Sequence, residues 1–406
     1  MGGDKLADPI MARDVGDATP THAGPGVRRR ATTSTRSQVD IGIDGALLGA
    51  RTGIGRYSDR LMSGLLAGPL GPRIKALTPP RGASRTVWLV GEVPALLHRQ
   101  QIRLFHGVAN FDLPLTKPRG VRYVLTVQDL IPLDWPRSVS LPFRLQFRAW
   151  LSRALTLADA VVCTSAAVAG QLIERFPHAP MPRIIPLAAD ASLAHPHVRF
   201  DDKHRLAPTA AGVESGGGAL DRQLHRGRAL PRYFLCLGSI ESRKNVALLL
   251  RAFAAARPEA TELWIAGRAA YGGAAVLREL DELRACGVPV RALGPVAPAQ
   301  LASLVAGALA LCAPSLAEGF GLPPLEALAL GTPVLASDIP AHREVLGDAA
   351  LLLAPSSDTD WTEALRRIAS DDSLRAKLAA AGPGRAALFS WDRTVRETEA
   401  LYRALL

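Results

Sequence analysis

The chain has 406 residues, 48% of them apolar and 21% charged, which is the composition of a soluble globular protein long enough for two cores. A formal charge of +11 favours anionic partners: nucleic acid, a membrane surface or phosphorylated substrates. No basic run is longer than Arg28-Arg29-Arg30 and no nucleic-acid-binding fingerprint is present, so no nucleic-acid partner is expected.

Residues 1–37 are mostly polar and lack an apolar core segment, so they read as a disordered N-terminal extension without a signal peptide. From Val39 short β-branched runs alternate with amphipathic stretches. Strands are predicted at Val39–Ile43, Val87–Val90, Arg103–Phe105, Tyr123–Val127, Ala160–Cys163 and Ile184–Leu187, with helices at Gly55–Leu66 and Ser165–Arg175 among others. Residues 38–197 thus form a first α/β domain, and 198–230, with little periodicity, a linker or insert. A second series follows in 231–387, with strands at Tyr233–Leu237, Glu262–Ile265, Val290–Leu293, Ala308–Cys312, Pro333–Ala336 and Ala350–Leu353. Residues 388–406 form a last helix, placed to cross back onto the first domain.

The uncharged run Ala292 to Ala317 contains three prolines and splits into a helix and a strand, so it is not a membrane span. Cys163, Cys236, Cys286 and Cys312 show no metal-binding spacing and read as core residues of a reducing compartment. Strands alternating with crossover helices imply two doubly wound domains, with ligands at the C-terminal edges of their sheets.

Two stretches of the second domain carry chemistry. After strand Ala308–Cys312 a loop leads to a helix beginning at Pro323-Pro324 and stopped by Gly331. The loop holds Gly319-Phe320-Gly321, whose amides at a helix N-terminus suit a diphosphate. Glu318 on the loop and Glu326 in the first helical turn flank it, and carboxylates there suit sugar or ribose hydroxyls. Upstream, strand Tyr233–Leu237 runs through Gly238 and Ser239 into Arg243-Lys244-Asn245 at the start of helix Val246–Ala256. Cations at a helix N-terminus oppose its dipole unless an anion compensates, and a departing diphosphate is such an anion.

The stretches Glu318-Gly-Phe-Gly-Leu-Pro-Pro-Leu-Glu326 and Gly238-Ser-Ile-Glu-Ser-Arg-Lys-Asn245, with Ile265-Ala-Gly267 between them, resemble the two signatures of the family 4 retaining glycosyltransferases. Arg51-Thr-Gly53-Ile-Gly55-Arg-Tyr57 resembles that family's N-terminal glycine loop. Phe105-His106-Gly107 with Asn110-Phe111 resembles its H-G-x-x-N-F segment, and Thr126-Val-Gln128-Asp129-Leu its T-[IV]-H-D-L segment. The resemblance covers about residues 39–400 and implies the GT-B fold, two Rossmann-like domains facing across a cleft, with the first on the acceptor side. It also implies that Arg243 and Lys244 hold the diphosphate, Glu326 the ribose hydroxyls and Glu318 the donor sugar, helped by the amides of Gly319, Phe320 and Gly321. Gly53 and Gly55 would approach the phosphates from the opposite domain, and His106 would face the cleft.

Two positions depart from the family. Gln128 stands where members usually carry His beside the transferred sugar, and amide for imidazole removes any proton-carrying role near neutral pH. Ser239 replaces an arginine seen in some members.

The resulting expectation is a retaining hexosyltransferase, with mannose from GDP-mannose as the first donor, acting on a glycan or lipid-linked acceptor in surface-polysaccharide synthesis. No cofactor or metal is called for. A sugar-nucleotide epimerase or hydrolase of the same fold, or a non-catalytic sugar-nucleotide binder, are the rival readings. A cytoplasmic location is expected. Leu141 to Leu157, with Phe143, Phe147 and Trp150 beside Arg144, Arg148 and Arg153, is either an ordinary packed helix or a peripheral contact with an anionic membrane.

Overall fold

The computed structural model describes residues 39–50, 52–135, 139–190 and 231–406, so the N-terminal extension, the 198–230 linker and Arg51 lie outside the described residues. Two six-stranded sheets, every strand pair parallel, form the body of the chain.

The first sheet comprises β1 (Ile41–Asp44), β2 (Ile74–Leu77), β3 (Leu104–Gly107), β4 (Arg122–Val127), β5 (Ala160–Cys163) and β6 (Arg183–Ile184), in the order β2-β1-β3-β4-β5-β6. Its central strands are buried on both faces, which is why they read as continuous apolar runs. Helix α1 (Gly53–Ala67) follows β1. Thr52 caps it by accepting from the Gly55 amide at 3.0 Å, and Tyr57, Leu61, Met62 and Leu65 form one buried stripe.

Val87–Val90, expected as a strand, is helical: Arg85–Val87 runs through a π-helical turn, Trp88–Glu92, into α2 (Val93–Arg99). A four-residue apolar run cannot separate strand from helix by period. Here Trp88 and Leu89 are buried while Val87 and Val90 face solvent, so burial does not alternate. The sequence reading also passed over β2. It is short, carries Lys75, and lies on the sheet edge, pairing with β1 alone.

Helix α3 (Leu141–Leu157) packs Phe147, Trp150, Leu151, Ala154 and Leu155 into the first core. Its first turns leave Leu141, Phe143 and Leu145 exposed. Helix α4 (Ala166–Arg175) follows β5.

The second sheet comprises β7 (Arg232–Leu237), β8 (Thr261–Ala266), β9 (Val290–Gly294), β10 (Ala310–Ala313), β11 (Val334–Ser337) and β12 (Leu351–Leu353), in the order β12-β11-β10-β7-β8-β9. Counting from its own first strand, this is the 3-2-1-4-5-6 order, with the chain reversing direction between β7 and β10. Helices α5 (Val246–Ala256), α6 (Gly273–Ala285), α7 (Pro298–Ala306), α8 (Leu322–Ala329), α9 (Pro340–Leu346), α10 (Asp358–Ser370) and α11 (Asp372–Ala386) cover the two faces.

The last helix, α12 (Trp391–Leu405), lies on α1 so closely that a Cβ on Gly64 would come within 2.4 Å of Val395. It therefore ties the C-terminus to the first sheet. Among the described residues no helix is long and apolar enough to cross a membrane.

Candidate functional site

The reversal between β7 and β10 brings together the turns that follow these two strands. Past Gly238 (φ +139°) the chain makes a 3-10 turn, Ser242–Lys244. Asn245 then adopts a left-handed conformation, φ +52°, and binds the Pro355 carbonyl at 2.9 Å before α5 begins. Asn tolerates that region better than most residues, which accounts for its place at this entry.

Arg243 is stitched into the neighbouring loop. Its carbonyl accepts from the Leu316 amide at 2.8 Å, and its Nη1 donates to the Ala317 carbonyl at 2.5 Å. Its guanidinium faces Glu241 at 2.5 Å and Glu318 at 3.2 Å, while Lys244 Nζ reaches the other Glu318 oxygen at 2.5 Å. The anion that compensates these cations is thus Glu318 itself, with Glu241 beside it. Burial alone would raise the Glu318 carboxyl, but Lys244 and Arg243 overcome it and hold the group well below the usual carboxylate range. Ser239 Oγ lies 3.1 Å from Glu241 and completes this network. Lys244 lines a small cleft with Gly238, Ser239, Ser315, Glu318, Pro323 and Pro324.

The loop after β10 is pressed against the first domain. Ser165 Oγ donates to the Gly319 carbonyl at 2.7 Å, and a Cβ on Gly319 would sit 2.1 Å from the Gln128 carbonyl oxygen. Glycine is required there by the approach of two backbones. At Gly55 a Cβ would meet the Ala50 carbonyl oxygen at 2.0 Å, so the tight turn before α1 also demands glycine. Gly53 faces Leu322 of α8 across the cleft. Phe320 is buried edge-on against Phe389, so its ring belongs to the core, and Gly321 (φ +98°) opens α8.

Glu326 corrects one expectation. Because α8 starts at Leu322, it stands on the second turn, 3% exposed, and its carboxylate is taken by Arg56 of α1 in a cross-domain ion pair. Burial pushes its pKa up to about 7 against the opposing pull of Arg56, with Asp190 adding to the rise.

His106 corrects another. It was expected in the cleft but is fully buried, with Nδ1 2.6 Å from Tyr402 Oη of α12 and Nε2 2.8 Å from Thr126 Oγ1. The packing of α12 on the first domain encloses the ring, and burial lowers its pKa to about 3. Gln128 lies under the Gly319 loop, and its Nε2 donates to the Val108 carbonyl at 3.2 Å.

Four residues to which the sequence reading gave no role stand at the site. Arg56 is the partner of Glu326. Asp129, half-buried, faces Arg243 and Glu318, and burial raises its pKa. His342 of α9 packs against Gly321. Its Nδ1 lies 2.8 Å from the Ser337 carbonyl, and its Nε2 is buried without a partner. Glu344 accepts the Ala166 and Ala167 amides at 2.7 and 3.0 Å, so a carboxylate of the second domain caps α4 of the first. Arg56 and Asp129 lie inside stretches already singled out, whereas His342 and Glu344 had no local pattern to mark them.

Residues 222–385 match the family described as Glycosyl transferases group 1, and residues 50–193 that described as Glycosyltransferase Family 4. The chain belongs to the family 4 glycosyltransferases. Similar relatives include a D-inositol 3-phosphate glycosyltransferase of Nocardioides sp., 40% identical over 126 residues, which are 30% of this chain and 28% of that protein. The O-antigen chain mannosyltransferase B of Escherichia coli is 34% identical over 175 residues, 43% of this chain and 46% of that protein. The chain therefore matches less than half the length of either. Among solved structures, Anabaena HepE in complex with UDP-glucose superimposes with a TM-score of 0.66 at 18% identity, covering 89% of this chain and 99% of that one. The fold of this family 4 member is accordingly GT-B.

A second charged group occupies the corresponding reversal of the first sheet, between β1 and β3. Arg85 bridges Asp44 (2.8 Å) and Asp112. Burial and the neighbouring Asp44 push Asp112 up to about 8 despite Arg85. A larger cavity of about 460 Å³ lies at the opposite edge of that sheet, among Arg103, Lys117, Arg119 and Arg122. It adjoins none of the residues described above, and position at the sheet reversals outweighs size in locating the site.

Proposed function

We propose that this chain is a retaining glycosyltransferase that moves a hexose from a nucleoside diphosphate to an acceptor hydroxyl, with mannose from GDP-mannose as the first donor to test. The observation that carries the reading is the convergence of Arg243, Lys244 and Glu318 at the reversal of the second sheet, beside the N-terminus of α8, the helix that carries Glu326. Arg243 and Lys244 meet the diphosphate, with Gly238 and Ser239 forming the turn that presents them. Glu318 and the Gly319-Phe320-Gly321 amides meet the sugar, and Glu326 meets the ribose.

As the bond between the sugar C1 and the diphosphate oxygen breaks, the two cations and the helix end stabilise the charge that develops on the leaving group. The acceptor oxygen bonds to C1 from the same face, and its proton passes to the departing phosphate. No protein nucleophile and no metal enter this scheme. Gln128 gives one amide N–H to the Val108 carbonyl, and the carboxamide's acceptor oxygen and second N–H suit a sugar hydroxyl.

The acceptor is a glycan or a lipid-linked oligosaccharide of cell-surface polysaccharide synthesis. Exposed Leu141, Phe143 and Leu145 at the start of α3 favour peripheral contact with an anionic membrane from the cytoplasmic side. The test is incubation with labelled GDP-mannose, UDP-glucose and UDP-N-acetylglucosamine, with and without lipid acceptors. Transfer from one donor supports the reading. Hydrolysis or epimerisation alone, or binding without turnover, replaces it.

A further inference from the structure

The Arg56–Glu326 contact joins a residue of the acceptor-side domain to the carboxylate that, on the reading above, takes the donor's ribose. Glu326 is 3% exposed and Arg56 36%, so the carboxylate is fixed while the guanidinium stays at the cleft surface. Arg56 follows Thr52-Gly53-Ile54-Gly55 in the first turn of α1, whose N-terminal end opens toward α8, where Gly53 meets Leu322. Ribose hydroxyls donate to carboxylates, and a guanidinium offers them nothing to accept their protons. Arg56 meets one oxygen of Glu326, so ribose hydroxyls that engage both oxygens take the one that Arg56 now holds. A displaced guanidinium in a partly enclosed cleft needs another anion, and the one that arrives with the ribose is the diphosphate.

The geometry points to Arg56 as a further diphosphate-binding residue, held by Glu326 and passed to the donor's phosphates when ribose engages Glu326. The inference rests on the donor-site reading and adds to it a partner exchange: the carboxylate goes from guanidinium to ribose, and the guanidinium from carboxylate to phosphate. One nitrogen of the Arg56 fork now meets Glu326, and the planar fork can take two phosphate oxygens at once, whereas lysine would meet them only as a point charge. In this scheme the acceptor-side domain senses the donor through one side chain.

Inorganic pyrophosphate separates the two halves of the exchange, because it carries phosphates and no ribose. Calorimetric titration of the full chain with pyrophosphate, GDP and UDP is run on wild type, Arg56→Gln, Arg56→Lys and Glu326→Gln. Arg56→Gln should weaken pyrophosphate and the preferred nucleotide by roughly tenfold or more, the loss of one charge-assisted hydrogen bond. Arg56→Lys should recover part of it. Glu326→Gln should move the two probes in opposite directions, tightening pyrophosphate because Arg56 is released and weakening the nucleotide because ribose loses its acceptor. That opposite movement does not depend on Arg56→Gln folding normally.

If wild type binds GDP or UDP and Arg56→Gln binds them equally well, Arg56 is a resting latch alone and the inference is overturned. Pyrophosphate weakening in both Arg56→Gln and Glu326→Gln overturns it as well, since the pair would then be a structural strut. If wild type binds neither nucleotide nor pyrophosphate, the donor-site reading falls first and takes this inference with it.

Discussion

Gly319→Ala tests whether the donor loop works by being pressed against the opposite domain. The added Cβ would lie 2.1 Å from the Gln128 carbonyl oxygen and 3.0 Å from Asp129 Cβ, against a lower limit of 3.0 Å in real contacts, so the two backbones must part by about 0.9 Å. Neither side can yield locally. The Gln128 amide is held by Asn110 Oδ1 at 2.8 Å and its carbonyl by Thr164 Oγ1 at 3.2 Å, while the Gly319 carbonyl is held by Ser165 at 2.7 Å. The opening is therefore taken up between the domains. It carries the sugar-binding loop away from the acceptor side by a distance that costs on the order of 10²-fold in rate.

Initial-rate measurement of sugar transfer should show kcat falling by about that factor. Affinity for free GDP or UDP should fall by less than kcat, because Arg243, Lys244 and Glu318 lie within the second domain and keep their mutual geometry, and only the Arg56 contribution is exposed to the opening. A thermal melt serves as control for folding. Turnover within threefold of wild type would refute the reasoning, and so would a loss of nucleotide affinity as large as the loss in kcat, which would place the damage in the donor site itself.

Lys244→Ala removes the cation closest to Glu318 and should lower kcat by roughly 10², as measured in the same rate assay. Glu326 titrates near 7 in the folded chain against an ordinary 4.5. The folded state thus keeps a proton that the unfolded chain has lost; this contribution to stability is fully present below about pH 4.5 and disappears as pH rises through 7. Donor binding that uses the ionised carboxylate should strengthen by up to about tenfold per pH unit below 7 and level off above it. GDP or UDP titrations from pH 5.5 to 8.5 read this directly, and Glu326→Gln should flatten the profile. Tyr402→Phe leaves His106 Nδ1 buried without its partner and should cost about 1–3 kcal/mol in urea unfolding. With Arg243, Lys244 and the α8 N-terminus supplying the positive charge, transfer should proceed in excess EDTA at an undiminished rate; a chelation-sensitive rate restored by a divalent cation would contradict that assignment.

The parts of the site legible in the sequence are those in which neighbours along the chain are also neighbours in space. Strand, glycine turn and helix start appear as one pattern at Gly238–Asn245 and again at Glu318–Glu326, and in each case the parallel sheet fixes where the turn must lie. Val87–Val90 was misread because four apolar residues do not specify a period, and Ile74–Leu77 was missed because an edge strand carries too little burial to stand out. Contacts between distant segments left no local trace. Arg56 and Glu326 are 270 residues apart, Ala166 and Glu344 are 178 apart, and the enclosure of His106 depends on a helix that ends the chain.

The same separation explains a puzzle that the sequence alone poses. Two carboxylates beside a phosphate site look electrostatically unfavourable while the charges are counted as free. In the folded chain none of them is free: Glu318 neutralises Arg243 and Lys244, and Glu326 neutralises Arg56. On the proposed reading, donor binding becomes an exchange of partners in which each carboxylate gives up a cation for hydroxyl groups and each released cation finds phosphate. Such an exchange avoids the several kcal/mol that an unpaired buried ion would cost. It also makes the carboxylates part of the proposed site: without Glu318 and Glu326, Lys244 and Arg56 would lose the carboxylates they meet and Arg243 would keep Glu241.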